Sequence, residues 1–194
     1  MVFYWIAWFL VRCFYFLAFG FSVKNTKAVP KDGAFLICAN HKSNWDPPAI
    51  AVGIRRRLGF LAKAELFKNK AFGAFLKYVG AFPVKRGAGD IGAMKTAVSV
   101  IKAGKPLLIF PEGTRVKKGQ VKKANNGAVR LAIMCGVPIL PVGIGGEYRF
   151  FGRVKINIGK PVTYDEYKGK KLSDEEIDKL TQDLMDKIYA LANN

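Results

Sequence analysis

Ala34-Phe35-Leu36-Ile37-Cys38-Ala39 runs straight into Asn40-His41-Lys42-Ser43-Asn44-Trp45-Asp46, and Pro47-Pro48 follows. The first six residues are unbroken apolar sequence of the right length for a strand buried on both faces. The prolines mark a helix start, with Pro47 expected at the first helical position. Strand, polar loop and helix in that order predict an α/β unit. The loop then lies at the carboxyl end of its strand, where folds of this class place their sites. His41 is the only histidine in 194 residues. Imidazole is the side chain that titrates near neutral pH unperturbed, so His41 is the first candidate base. Asp46 follows closely enough to fold back and hold the ring. On spacing alone, Asp46 reads equally well as a helix cap and His41 as a surface residue.

The same alternation continues outward. Ile50 to Ile54 extends the helix, and Leu58 to Ala62 reads as a second strand. Ala64 to Tyr78 has helical spacing through Leu66, Phe67, Phe72, Phe75 and Leu76. Ala81 to Val84 is a short strand ending in Lys85-Arg86-Gly87. Asp90 is expected to cap a helix that Gly104 ends. Leu107 to Phe110 is a strand that delivers Pro111-Glu112-Gly113-Thr114-Arg115, and a Lys-rich loop runs to Asn126. A helix over Gly127 to Cys135, strands over Ile139 to Ile144 and Lys155 to Ile158, and a last helix follow. Ser173 and Glu176 form a capping box for that helix, which carries Ile177, Leu180, Leu184, Ile188 and Leu191 on one face. Strands alternating with helices predict a largely parallel or mixed sheet flanked by helices.

Residues 1–23 stand apart. They are almost wholly apolar, rich in aromatics, and carry one charge, Arg12. As one helix they would reach roughly 30 Å, about the thickness of a bilayer core. No basic start or small-residue cleavage site marks a signal peptide. A helix or bent helix pair dipping into one leaflet, with Arg12 snorkelling to lipid phosphates, and a membrane-spanning anchor are both open readings. The expected organisation is therefore an N-terminal membrane-associated segment, 1–23, and a catalytic domain, 24–194. Lys24, Lys27 and Lys31 suit an anionic cytoplasmic leaflet.

The formal net charge of +18 is uneven. Before Asp165 there are 27 Lys and Arg against 6 Asp and Glu; from Asp165 onward there are 5 against 8. A basic body implies an anionic partner: a membrane surface, a phosphorylated substrate or nucleic acid. No recognition motif supports nucleic acid. The three cysteines, Cys13, Cys38 and Cys135, are scattered through apolar runs and show no metal spacing. No Gly-x-Ser-x-Gly elbow is present, which argues against a serine hydrolase.

Arg115 and Glu112 come from a second strand end. A guanidinium grips phosphate bidentately, and Glu112 can accept from a hydroxyl or orient a neighbouring base. Arg86 and Lys63 are two more strand-end cations, so successive strand ends can line an anion pocket. Taken singly, each reads as a surface charge, and Pro-Glu-Gly-Thr as a solvated turn. Taken together, four blocks resemble the 1-acyl-sn-glycerol-3-phosphate acyltransferase family (lysophosphatidic acid acyltransferase, PlsC-like). They are His41…Asp46 as His-x4-Asp, Arg86, Phe110 to Arg115, and Val137-Pro138-Ile139-Leu140-Pro141-Val142, which stand in the family's order between about Ala34 and Ile144.

The resemblance implies a glycerolphosphate-acyltransferase-like α/β sandwich, with His41 as general base and Asp46 as its partner. It places Arg86, Glu112 and Arg115 on the glycerol phosphate and makes Pro138 a wall of the site; from their places in the chain, Gly113, Thr114 and the strand-end Lys63 are substrate-binding candidates beside them. It implies lysophosphatidic acid as acceptor and an acyl-coenzyme A or acyl carrier protein thioester as donor, with no metal or resident cofactor and with membrane lipids as surroundings. Lys42 stands where glutamine is frequent, Val116 where serine often follows the arginine, and Asn126 where a basic residue is common. The exact acceptor and donor are the features these departures touch.

Overall fold

The computed structural model describes residues 2–84, 91–117, 119–120, 122–150 and 152–194. The expected cap Asp90 and the candidate Arg86 lie outside them. Among the described residues, seven strands form one sheet: β1 (Ser22–Lys24), β2 (Leu36–Ala39), β3 (Gly59–Lys63), β4 (Ala81–Val84), β5 (Leu107–Ile109), β6 (Ile139–Gly145) and β7 (Lys155–Ile158). Their order is β1-β7-β6-β2-β5-β3-β4. The five strands from β6 to β4 are parallel, while β7 runs antiparallel to β6 and carries β1 beside it.

The apolar run around Leu36 lies at the centre of this sheet because both its faces are covered. Phe35, Ile37 and Ala39 enter one core with residues of α1 (Val2–Phe19) and α2 (Asp46–Gly53). Leu36 and Cys38 enter the other with α4 (Ile91–Lys102), α5 (Gly127–Cys135) and α6 (Asp174–Asn193). Successive strand side chains point to opposite faces, so a strand between two layers must be apolar throughout. The Ser173 capping box forms as expected.

Four expectations change. The helix expected over Ala64 to Tyr78 splits into a 3-10 turn, Ala64–Phe67, and α3 (Lys70–Tyr78). The Asn69 side chain accepts from the Phe72 N–H at 3.0 Å and begins a new helix there. Asp46, not Pro47, is the first residue of α2, and its Oδ2 is taken up by the Lys42 and Ser43 N–H groups and His41 rather than by an N–H of that helix. The boundary placed after residue 23 falls inside β1. Arg12 does not reach outward: it donates to the Val52 carbonyl at 2.7 Å and lies over the Trp8 and Phe21 rings. The free carbonyls at the end of α2 attract that cation.

α1 is a single helix of about 27 Å. Its inner side buries Tyr15, Ala18 and Phe19 in the core, whereas Phe3, Phe9, Leu10, Phe16 and Leu17 are exposed. No described helix is long and apolar enough to cross a membrane.

Candidate active site

Parallel strands bring their carboxyl ends to one edge. β2 delivers His41 there, β5 delivers Phe110 to Arg115, and β3 ends at Lys63. Asn40 locks the first of these exits. Its side chain accepts from the Ile144 N–H at 2.7 Å and donates to the Ile144 carbonyl at 3.1 Å, tying the end of β2 to β6.

The loop after Asn40 turns back on Asp46. Asp46 Oδ2 accepts from the Lys42 N–H and the Ser43 N–H, both at 2.7 Å, and lies 2.8 Å from His41 Nδ1. Asp46 is fully buried and His41 nearly so. A carboxylate that already accepts two amide protons stays an acceptor, so the imidazole carries its proton on Nδ1. Nε2 is then left with a free lone pair. The ring stacks on Phe110, centroids 4.0 Å apart and planes 18° apart, which sets its tilt. The Tyr148 phenol faces the same carboxylate. It is held above its usual range first by burial and then by the Asp46 charge. Neither its hydroxyl nor Asp46 Oδ1 completes a hydrogen bond. Lys42 donates to the Gly146 carbonyl and lies 5.7 Å from the Tyr148 ring centroid.

Glu112 is enclosed with them. One of its oxygens accepts from the His41 N–H at 2.5 Å, and the other accepts from the Tyr189 hydroxyl at 2.7 Å. Burial raises its carboxyl above the ordinary range, against the two hydrogen bonds that favour the charged form. This corrects the expectation that Glu112 contacts the glycerol phosphate. The side chain is 2% exposed, and both oxygens are used inside the protein.

Thr114, Arg115, Val116, Gln120 and Lys122 line an open hollow of about 510 Å³. Lys122 Nζ donates to Thr114 Oγ1 at 2.9 Å. The Val116 N–H donates to the His41 carbonyl at 2.8 Å, so the hollow begins beside the imidazole loop. Gly113, at φ +70°, makes the turn from the enclosed Glu112 to the exposed Thr114 and Arg115. Lys63 is exposed at the same edge, two strands or about 10 Å across from β2. Pro138 is not part of this edge. It precedes β6, and its carbonyl accepts from the Leu36 N–H at the amino end of β2. That corrects its expected place: about 13 Å of strand separates it from Val142. Among the described residues, no group of three or more His, Cys, Asp or Glu side chains could hold a metal ion.

Sequence reasoning passed over three participants. Asn40 and Tyr148 give no local signal beyond their nearness to other motifs. Tyr189 lies next to the apolar stripe of α6, where a half-buried aromatic reads as packing.

A family model described as Acyltransferase matches residues 20–145. The 1-acyl-sn-glycerol-3-phosphate acyltransferase of Bacillus subtilis is 33% identical over 180 residues, covering 90% of this chain and 89% of the relative. The Streptococcus pneumoniae enzyme of the same name is 34% identical over 162 residues, covering 79% of this chain and 59% of the relative. Among solved structures, the 1-acyl-sn-glycerophosphate acyltransferase PlsC of Thermotoga maritima superposes with a TM-score of 0.71 at 26% identity, over 93% of this chain and 77% of that one. The motif pair at one sheet edge and this likeness along most of its length agree: the chain belongs to the 1-acyl-sn-glycerol-3-phosphate acyltransferase family.

Proposed function

We propose that the chain transfers an acyl group from a thioester to the sn-2 hydroxyl of 1-acyl-glycerol-3-phosphate, making phosphatidic acid for phospholipid synthesis. The observation that carries this reading is the enclosed His41–Asp46 pair beside the hollow of Thr114, Arg115 and Lys122. The acceptor hydroxyl attacks the thioester carbonyl as His41 Nε2 takes its proton. The carbon–sulfur bond then breaks, and the imidazolium returns the proton to the leaving thiolate. Asp46 stabilises the imidazolium in between and keeps the ring in the correct tautomer. The substrate alcohol is itself the nucleophile, so no protein serine is required. The acceptor's phosphate suits the cationic hollow, where Arg115 offers a planar, two-pronged donor.

The donor is proposed as acyl-coenzyme A or acyl-loaded acyl carrier protein, both anionic and suited to the basic body. Radiolabelled acyl transfer to lysophosphatidic acid, with each donor supplied separately, tests the reading. Phosphatidic acid formed with either donor supports it. No product with either, but product with another lyso-lipid in a panel, moves the assignment to that acceptor.

Arg115→Ala is expected to raise KM for lysophosphatidic acid by about 10- to 100-fold, the range of a lost charge-assisted contact, with a smaller change in kcat. Arg115→Lys should recover only part, because a lysine keeps the charge but not the fork. Steady-state kinetics on both variants decide this, and an unchanged KM in Arg115→Ala removes the residue from the acceptor site.

The exposed side of α1 is proposed to sit in one leaflet at the cytoplasmic face. Phe3, Leu17 and Phe16 are 72%, 71% and 64% exposed, an apolar surface too large to leave in water. Phe14 of the same helix packs 6.0 Å from Trp45, the residue before Asp46, so the lipid-facing side adjoins the site. Serine at Phe9, Phe16 and Leu17 together should lower co-sedimentation with anionic phospholipid vesicles by at least about 10-fold, given the transfer energy of three large side chains. Undiminished binding would place the membrane contact elsewhere.

A further inference from the structure

We propose that Tyr189, near the end of α6, is a positioning residue for acyl transfer: it holds Glu112, and Glu112 holds the main chain of His41. The inference rests on the function proposed above. The link is short and directional. The Tyr189 hydroxyl donates to Glu112 Oε1 at 2.7 Å, and Glu112 Oε2 accepts the His41 N–H at 2.5 Å. Burial and then the bond to the carboxylate keep the Tyr189 phenol above its usual range, so it remains protonated and donates. The His41 carbonyl is already taken by Val116, and the side chain of Asn40 is tied to Ile144. The His41 N–H is the remaining handle on the main chain that carries the ring, and Glu112 occupies it.

Tyr189 can reach Glu112 because α6 lies unusually close to the sheet. A Cβ on Gly143 would stand 2.2 Å from the Ala192 nitrogen, and one on Gly145 would stand 2.5 Å from the Ala192 carbonyl oxygen. Only glycine at these two positions of β6 admits the last turn of the helix. Asn157 Nδ2 donates to the Leu191 carbonyl at 2.7 Å and sets the roll of that turn. At the other end of α6, Asp178 holds Lys123 at 2.6 Å and also binds Asn126, both in the loop after Arg115. α6 lies outside residues 20–145, the span of the family model, and yet it grips both arms of the site.

Tyr189→Phe keeps the ring and removes the hydroxyl. The expected result is a kcat lower by about 10- to 100-fold, the range for a small displacement of a reacting group, with KM for the acceptor little changed. The pH profile separates positioning from packing. The groups facing Glu112 are Tyr189 from α6, the His41 N–H and imidazole, and Asp46. Losing the Tyr189 bond removes support for the charged carboxylate, so Glu112 keeps its proton to higher pH. A protonated Glu112 is a weaker acceptor for the His41 N–H, so the ratio of Tyr189→Phe to wild-type kcat should fall toward acid pH. In a Glu112→Gln background, which cannot titrate, adding Tyr189→Phe should leave no such pH dependence.

Stability gives an independent reading. Burial raises the Glu112 pKa above its unfolded value, so ionised Glu112 costs stability as pH rises through that window. The loss of melting temperature in Tyr189→Phe should grow from acid to neutral pH, whereas a packing residue would lose the same amount throughout. A wild-type kcat and profile in Tyr189→Phe, or a loss of melting temperature that is flat with pH and accounts for all the lost rate, overturns the role. A wild type that transfers no acyl group overturns the proposed function and this role with it. An active wild type beside an unaffected Tyr189→Phe overturns only this role.

Discussion

His41→Ala is expected to reduce acyl transfer by about 1,000-fold or more, near the upper range for removal of a positioned general base. The size follows from how completely the ring is committed. Its Nδ1 faces Asp46 at 2.8 Å, its plane is set by Phe110, and its main chain is held by Glu112 and Val116. The ring is nearly buried, so bulk water has poor access to replace it as base. Folding should survive, because the site opens at the sheet edge and alanine leaves the strand β2 intact. Comparing kcat with melting temperature separates the two effects. More than about a tenth of the wild-type rate remaining in well-folded His41→Ala would assign the proton transfer to another group.

Asp46→Asn and Asp46→Ala should part company. In the asparagine variant, the amide oxygen can occupy the place of Oδ2 and accept from Lys42, Ser43 and His41. The two backbone donors select that orientation, because an amide NH₂ turned toward them would meet N–H with N–H. Geometry and tautomer are kept, and what disappears is the negative charge that stabilises the imidazolium. We expect kcat to fall by about 100- to 1,000-fold with little change in melting temperature. Alanine leaves the Lys42 and Ser43 N–H groups enclosed without partners, at about 1–3 kcal/mol each, so stability falls as well. Asp46→Asn working at the wild-type rate would reduce Asp46 to a loop brace. The fully buried carboxylate, 2.8 Å from His41 Nδ1, is the observation that favours more than that.

The His41–Asp46 contact and the sheet were legible in the sequence, and for a physical reason. Alternation of strand and helix is written in the spacing of apolar residues, which each segment carries alone. The run around Leu36 had to be a central strand because its residues are apolar in both registers. His41 and Asp46 are five residues apart, and the loop between them closes with its own amides. Other features resisted. The break at Asn69 turns on one side-chain oxygen capturing an amide within a stretch whose apolar pattern continues across it. β1 is three residues at a sheet edge, hidden behind an apolar run whose length suggested a membrane segment. Arg12 looked free because its partner, the Val52 carbonyl, is 40 residues away.

Glu112 is the clearest division between the two levels. The sequence by itself determined the strand-end loops, the placing of His41, Glu112 and Arg115 on them and the basic character of the body. Those properties depend on side-chain type and on neighbours within about one turn of helix or one strand. Only the tertiary structure decided that Glu112 turns inward to His41 and Tyr189 while Arg115, three residues on, turns outward to the hollow. It also decided that Pro138 lies at the far end of the sheet and that α6 supports the site. Each of these depends on strand order and on which end of a strand a residue occupies. They arise when segments far apart in the chain are packed against one another, and local pattern does not encode that pairing.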